Sequence, residues 1–117
     1  MNVNQKIEDA LSAIVDGNIW PLSCPEETPP DTYIVYNPEL EKPEDFGDDR
    51  ELEWGQYMQV HWFKRGTSKK KPVNYLAIRK EIRKQLITAG FCISSIETFF
   101  EQDTGYTHLC FLCNITE

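Results

Sequence analysis

Two cysteines near the C-terminus have the spacing that zinc sites and redox pairs use. Cys110 and Cys113 form a CxxC within the segment 107–115, whose large apolar residues alternate as in a strand. Positions i and i+3 of a strand face opposite sides, so the two thiols should diverge rather than share one metal. A structural zinc site also needs a second ligand pair, and the other cysteines and histidines are scattered along the chain. We therefore expect no metal and no cofactor. We expect Cys24, Cys92, Cys110 and Cys113 to be small buried thiols, as free cysteines usually are. The alternatives are a zinc site and a redox pair.

The other residues capable of acid–base chemistry form no known catalytic pattern. His61 falls in the middle of a predicted strand and His108 opens another, where histidines are more often structural. The sequence has no phosphate-binding loop, dinucleotide fingerprint, GxSxG or HExxH motif. The acids at positions 44–53 lack the alternating pattern of a calcium loop. The acidic segment 44–53 is therefore expected to be either a solvent-exposed loop or an edge that docks onto a basic neighbour. These observations favour a protein that is not an enzyme.

Charge is divided unevenly along the chain, whose formal net charge is −7. Residues 1–53 carry fourteen acids and three bases, residues 64–84 carry nine bases and one acid, and residues 85–117 carry four acids. The simplest explanation of this charge distribution is a pair of solvent-exposed faces, one acidic and one basic. A more specific explanation is head-to-tail self-association, in which an acidic edge of one copy meets a basic edge of the next. Nucleic-acid binding through residues 64–84 is a third, although the acidic net charge is unlike that of a typical nucleic-acid-binding domain.

Length and composition suit a single folded domain over residues 1–117. The chain is 40% hydrophobic and 26% charged, as ordinary globular domains are. No apolar run approaches the roughly 18 residues that span a bilayer. The N-terminus also lacks the basic and apolar stretches of a signal peptide, so we expect a cytoplasmic protein. An N-terminal helix and a Pro-rich loop should occupy residues 1–31, and a sheet with a helix at 75–89 should occupy residues 32–117.

The periodicity of apolar residues predicts two helices and four strands. Helical spacing predicts helices over 3–15 and 75–89, with Asn74 as a cap for the second and Gly17 and Gly90 at the ends. The order α-β-β-α-β-β predicts an α+β fold. We expect a single-domain α/β sandwich whose mostly antiparallel sheet of four or more strands has both main helices packed on one face. The predicted strands are 32–36, 54–63, 91–97 and 108–115. The predicted loops are 16–31, 39–53 and 64–73. In the first of these loops, we expect Ile19, Trp20 and Leu22 to dock onto the core.

The strand predicted over 54–63 carries large side chains on both faces. One face would be covered by the helices and the other by a partner, since large apolar side chains are seldom left exposed as a patch. The first face would hold Trp54, Met58, Val60 and Trp62, and the second Tyr57, Gln59, His61 and Phe63.

Three stretches of the sequence, taken in order, resemble a known family. They are 33–37, 48–63, and Ala89-Gly90-Phe91 followed by 99–108. They resemble the small tail-completion and tail-terminator proteins (minor tail, head–tail joining) of long-tailed phages and prophages of Gram-positive bacteria. In that family a strand ending in Tyr/Phe-Asn precedes an acidic loop and an Asp-Asp-x-Glu-x-x-x-Gly-x-Tyr-x-Gln-Val strand. An Ala-Gly-Phe helix end and an acidic Glu-x-Asp-Thr-Gly-x-x-His turn follow, so the resemblance covers residues 32–115.

The resemblance implies a structural role without catalysis. Such proteins form a ring, usually a hexamer, that caps the tail tube, stops its growth and presents a surface to the head connector. The implied partners are sister subunits, the tail tube protein and head-connector or neck proteins, with no membrane and no nucleic acid. The implied location is the virion tail, or the host bacterial cytoplasm during assembly. The alternative is a soluble interaction or regulatory domain that binds an acidic partner or nucleic acid through residues 64–84. For the ring, we expect subunit or partner contacts at Asp48, Asp49, Glu51, Lys69, Lys70, Lys71, Arg79 and Arg83.

Overall fold

A five-stranded sheet with two helices on one face makes up the part of the chain that the computed structural model describes, residues 2–44, 53–66 and 74–116. The strands lie in the order β1-β2-β3-β5-β4. The first pair is parallel and the other pairs are antiparallel, so the predicted α+β class is confirmed. The elements are α1 (Val3–Leu11), a 3₁₀ turn (Ser12–Val15), β1 (Ile19–Pro21), β2 (Thr32–Glu44), β3 (Glu53–Arg65), α2 (Leu76–Thr88), β4 (Cys92–Phe100) and β5 (Tyr106–Thr116).

Helix α1 begins at a complete capping box and ends in a left-handed turn. The Asn2 side chain accepts a hydrogen bond from the Gln5 backbone N–H, and the Gln5 side chain accepts one from the Asn2 N–H. Asp16 and Gly17 both have positive φ angles, which ends the 3₁₀ turn after Val15. The predicted helix over 3–15 is therefore α-helical only to Leu11, and its last turn is 3₁₀.

Helix α2 runs from Leu76 to Thr88, one residue shorter at each end than the predicted 75–89, with Asn74 before it and Gly90 after it. The Asn74 side chain accepts a hydrogen bond from the Leu76 N–H at 3.3 Å. Gly90 has φ +101°, and the Phe91 N–H donates to the Leu86 carbonyl at 3.0 Å, which closes the helix end. Neither helix in the described ranges is long and apolar enough to cross a membrane.

The main core lies between the helices and the facing side of the sheet. Ile7 and Leu11 of α1 and Ile82 and Leu86 of α2 are fully buried there. The Tyr36 hydroxyl donates a short hydrogen bond to the Glu8 carboxylate, which ties β2 to α1. The strands contribute Ile34, Tyr36, Met58, Val60, Trp62, Leu109, Phe111, Cys113 and Ile115.

One short segment predicted as loop, Ile19–Pro21, is a strand instead. Residues Ile19–Pro21 form β1, which pairs in parallel with Ile34–Tyr36. Ile19 is buried as expected, but Leu22 is 69% exposed and does not dock onto the core. Leu22 instead has a positive φ and turns the chain away after β1.

The hairpin strands β2 and β3 are both longer than the sequence predicts. Strand β2 continues past Asn37-Pro38 to Glu44, because its pairing with β3 resumes after a register shift between Pro38 and Leu40. Proline is tolerated here because this part of β2 lies at the sheet edge, where a missing N–H breaks no ladder bond. Strand β3 runs to Arg65, so it takes the first residues of the predicted basic loop.

Candidate functional site

Along the outer part of the β2–β3 hairpin, no described strand lies on the side of β2 away from β3, while Gly55, Gln56 and Tyr57 of β3 still pair with residues 114–116 of β5. We call residues 39–44 and 53–57 the arm. Strand β1 pairs only with residues 34–36, so along the arm β3 is the one strand that pairs with β2 among the described residues. The molecule is elongated, at 58 × 25 × 24 Å. A bulge and two prolines protect this edge from pairing with another strand, which leaves side chains to make any contact.

The arm is acidic and carries two exposed apolar side chains. Its described residues include four glutamates and one lysine, Lys42, whose ammonium lies 5.0 Å from the Tyr57 ring centroid. Leu40 is 50% exposed and Trp54 is 49% exposed. Leu40 pairs with Tyr57 and Trp54 pairs with Pro43, so the two exposed side chains lie on opposite faces of the hairpin. The glutamates are Glu39, Glu41, Glu44 and Glu53.

The outward side of α2 carries a basic stripe with an apolar residue at each end. Leu76, Lys80, Arg83 and Ile87 follow the spacing i, i+4, i+7 and i+11, so they share one helix face. Leu76 is 51% exposed and Ile87 is 56% exposed, while Ile82 and Leu86 on the opposite side are buried. We call these four residues the α2 stripe. Lys84 is also exposed and extends it sideways.

Only two of the contact residues predicted from the sequence lie in the described part of the chain. Arg83 belongs to the α2 stripe. Arg79 is half-buried at the margin of α2, with its guanidinium 5.9 Å from the Tyr75 ring centroid. The sequence analysis missed the exposed apolar residues of the arm and of the α2 stripe. The i, i+11 spacing of Leu76 and Ile87 could have revealed those of the α2 stripe. The other predicted residues, Asp48, Asp49, Glu51, Lys69, Lys70 and Lys71, lie outside the described residues.

The sheet face opposite the helices holds a second, aromatic cluster. Tyr33 stacks on Phe63 with ring centroids 4.8 Å apart, and Tyr106 meets Tyr33 edge-on at 5.7 Å. The Tyr106 hydroxyl donates to the Pro30 carbonyl at 3.0 Å, so the loop before β2 covers part of this face. Beside it lies an open groove of about 330 Å³ lined by Leu22, Ser23, Cys24, Tyr33, Val35, Asn37, His61, Phe63 and His108. As predicted, Met58, Val60 and Trp62 of β3 are buried on the helix side and His61 and Phe63 lie on this open side, but Trp54 is 49% exposed and is not covered by the helices.

A chain of hydrogen bonds crosses this open face. His61 Nδ1 and His108 Nε2 are 2.8 Å apart, and His61 Nε2 lies 3.1 Å from the Asn37 side-chain oxygen. At the other end, His108 Nδ1 is 3.4 Å from Glu101. With His61 Nε2 donating to the Asn37 oxygen, His61 Nδ1 accepts from the His108 Nε2–H, because a neutral imidazole has one donor and one acceptor. The cross-strand register between β3 and β5 places both rings here, since Phe63 pairs with His108 and His61 with Cys110.

The cysteines are separated as the strand geometry requires. Cys113 faces the helices and donates to the Met58 carbonyl at 3.7 Å, while Cys110 pairs with His61 on the other side of β5. Burial raises the pKa of Cys113 to about 12 and also raises that of Cys110, so both favour the poorly nucleophilic thiol. Cys92 is exposed, which corrects the expectation that all four are buried. Within the described ranges, no three histidine, cysteine or acidic side chains gather around a common point.

The histidine pair predicts an acid-sensitive fold. Burial lowers the pKa of His61, as does the nearby His108, and burial lowers that of His108 despite the opposing charge of Glu101. The unfolded chain then binds protons more readily, so the free energy of unfolding should fall as pH drops below about 6.5. We expect His61→Gln to flatten this dependence, measured by urea unfolding between about pH 8 and 5, where histidine titrates. An equal slope in wild type and variant would contradict the assignment.

The fold is similar to that of a virion component. A chain in a structure titled "Virion of native gene transfer agent (GTA) particle" superposes with a TM-score of 0.63 at 10% sequence identity. The match covers 97% of this chain and 92% of that chain. No protein-family model matches the sequence, and no curated protein matches it either. At this identity the likeness concerns the fold, and it extends over almost the whole length of both chains.

Proposed function

We propose that this chain is a structural protein of a phage or prophage virion, and that it forms a ring, expected to be a hexamer, which caps the tail tube and helps to join tail to head. The observation that carries the proposal is the nearly end-to-end fold likeness to a chain of a gene transfer agent virion. The resemblance of residues 32–115 to tail-completion proteins supports it independently. The partners would be sister subunits, the tail tube protein and a head-connector or neck protein, and the chain would catalyse no reaction.

The two exposed surfaces agree with assembly into a ring. A ring of identical subunits needs two different, complementary patches on each copy, so that each subunit contacts one neighbour through the first patch and the other neighbour through the second. The exposed acids of the arm and the exposed bases of the α2 stripe have the opposite charges that such patches would use. The exposed Leu76 and Ile87 also favour a protein partner for α2 over the phosphate backbone of a nucleic acid.

The proposal is tested by particle morphology. We expect deletion of the gene from its prophage to yield tails of uncontrolled length and unattached heads by negative-stain electron microscopy, because the tube lacks its cap. Expression of the wild-type chain from a plasmid should restore normal particles. Normal, joined tails without the protein would contradict the proposal. Retention of duplex DNA in a gel-shift assay, weakening steeply with added salt, would instead favour the nucleic-acid alternative.

A further inference from the structure

We propose that the outer edge of β4 receives an extended, acidic strand of another protein, which adds to the five-stranded sheet as a sixth strand. Strand β4 is the last in the strand order, so among the described residues one of its sides has no strand beside it. This contact joins the chain to a different protein, whereas the proposed ring joins copies of the chain. The inference is therefore tested separately from the ring.

The backbone of β4 directs the hydrogen-bonding groups of three residues toward this free edge. The Glu101 N–H donates to the Tyr106 carbonyl at 2.8 Å, so residue 101 faces β5. In an antiparallel pair, successive residues alternate between facing the partner strand and facing away from it. Ile96, Thr98 and Phe100 therefore turn their N–H and C=O groups outward, and no described residue bonds them. Three donors and three acceptors in a row are what an added strand requires.

The opposite edge of the sheet is closed to such pairing. In β1, the Ile19 N–H donates to the Gly17 carbonyl at 2.9 Å. Pro21 has no N–H, and its carbonyl accepts from the Ser23 N–H at 2.8 Å. Along the arm, the bulge and the two prolines protect the edge of β2. Residues 95–100 of β4 have neither a proline nor a bulge, so this edge is the one available for pairing.

The basic side of α2 lies above the free edge. Helix α1 is tied to β2 and α2 packs on β4, so the side of α2 turned away from α1 is the side nearer the free edge. Gln85 and Thr88 line one groove with residues of α1, and they therefore face α1. At about 100° per residue, Arg79 and Arg83 lie on the opposite side of the helix.

The charge of α2 determines the kind of strand that fits. Among the described residues, no carboxylate forms an ion pair with Arg79 or Arg83. Acidic side chains on the α2 face of an added strand would supply the missing opposite charge. Phe99 is 45% exposed and Phe100 is 53% exposed, on opposite faces of β4. Apolar side chains of the added strand would therefore find a cross-strand neighbour on either face.

A second copy of the chain does not fit this edge. Its β1 edge and its arm are closed, so it would have to offer its own β4. Antiparallel pairing of two β4 edges places both α2 helices on the same face of the joined sheet. The α2 stripes of the two copies would then lie side by side, and their like charges oppose this arrangement. The occupant is accordingly a strand of another protein.

Two synthetic peptides test the site. The first alternates glutamate with valine over about eight residues, the length of an ordinary strand, and carries a fluorophore. The second has lysine in place of glutamate. In fluorescence anisotropy at low salt, we expect the full chain to bind the glutamate peptide saturably and the lysine peptide at least about 10-fold more weakly. Equal binding of both peptides, or saturable binding of neither, would overturn the inference.

Substitutions at Thr98 test the backbone pairing. Thr98→Pro removes an outward N–H without breaking a bond to β5, and it should weaken binding of the glutamate peptide about 10-fold. The matched control is Thr98→Val, which keeps the N–H and should bind like wild type. Circular dichroism shows whether each variant is folded. Equal affinities of two folded variants would contradict strand addition at β4.

Charge reversal on α2 tests the preference for acids without altering the strand. The double variant Arg79→Glu, Arg83→Glu should bind the lysine peptide more tightly than the glutamate peptide, because the charge above the edge is now negative. The control is Lys42→Glu, which changes a base on the arm at the other edge of the sheet and should bind like wild type. An unchanged preference in the double variant would overturn the assignment of an acidic strand.

Amide hydrogen exchange measured by NMR reports the geometry directly. In the free chain, the amides of Ile96, Thr98 and Phe100 should exchange faster than those of Glu97 and Phe99, which bond to β5. The glutamate peptide should slow the first set. Slowing confined to other elements would overturn the inference. So would a loss of self-association in Thr98→Pro by sedimentation equilibrium, which would show a second copy at this edge. Particle morphology decides the proposed function in either case.

Discussion

Phe111→Ala is expected to lower the free energy of unfolding by about 3–5 kcal/mol, the range for truncating a fully buried aromatic residue. Phe111 has no exposed surface and sits on β5, between Val60 of β3 and Ile96 of β4. Its ring fills the layer between the sheet and both helices, so alanine would leave a cavity that these elements can close only in part. Urea unfolding at neutral pH, followed by circular dichroism, measures the change.

The matched control is Phe100→Ala, the same substitution on the neighbouring strand. Phe100 is 53% exposed at the end of the edge strand β4, so its removal should change stability by less than about 0.5 kcal/mol. Equal losses in both variants would show that Phe111 is not at the centre of the core. The total free energy of unfolding of a small domain is about 5–15 kcal/mol, so the difference between the two variants is a large fraction of it and is readily measured.

Trp54→Ala is expected to weaken association between copies about 30-fold while leaving the fold intact. Trp54 lies on the arm, 49% exposed in the single molecule, and it pairs across the hairpin with Pro43. A tryptophan that becomes buried on assembly contributes about 2 kcal/mol or more to binding, which corresponds to this change in the dissociation constant. Sedimentation equilibrium measures the association, and urea unfolding measures the fold.

Phe100→Ala serves again as the control, since it removes an equally exposed aromatic ring from the opposite edge of the sheet. Its association should match that of wild type. If Trp54→Ala associates normally as well, the arm contributes no anchor and the contact must involve other residues. If Trp54→Ala also loses several kcal/mol of stability, the tryptophan supports its own hairpin instead.

Local patterns predicted the helices and the central strands well because their signals are contained within the elements. The apolar stripe of α2, the Asn74 cap and the Gly90 stop lie within one short segment. The alternation of β3 likewise separates Met58, Val60 and Trp62 from the residues on the other face. These patterns act over one element, where period and capping decide the backbone conformation.

The strand β1 and the outer part of β2 were beyond the reach of local patterns. Ile19–Pro21 is too short to signal a strand, and it becomes one only by pairing with residues 34–36. Residues 39–44 are acidic and contain Pro43, which locally favours a loop. Pairing with 53–57 overrides that preference, because each cross-strand partner supplies the hydrogen bonds that the segment lacks on its own.

By itself, the sequence determined the α+β class, the two helices, the segregation of acids from bases and the divergence of Cys110 from Cys113. Only the tertiary structure decided that β5 lies between β3 and β4, and hence that His61 meets His108 across 47 positions of sequence. It also decided that four glutamates share an arm with Leu40 and Trp54. The reason is physical: strand order and register depend on long-range pairing, which no local period encodes.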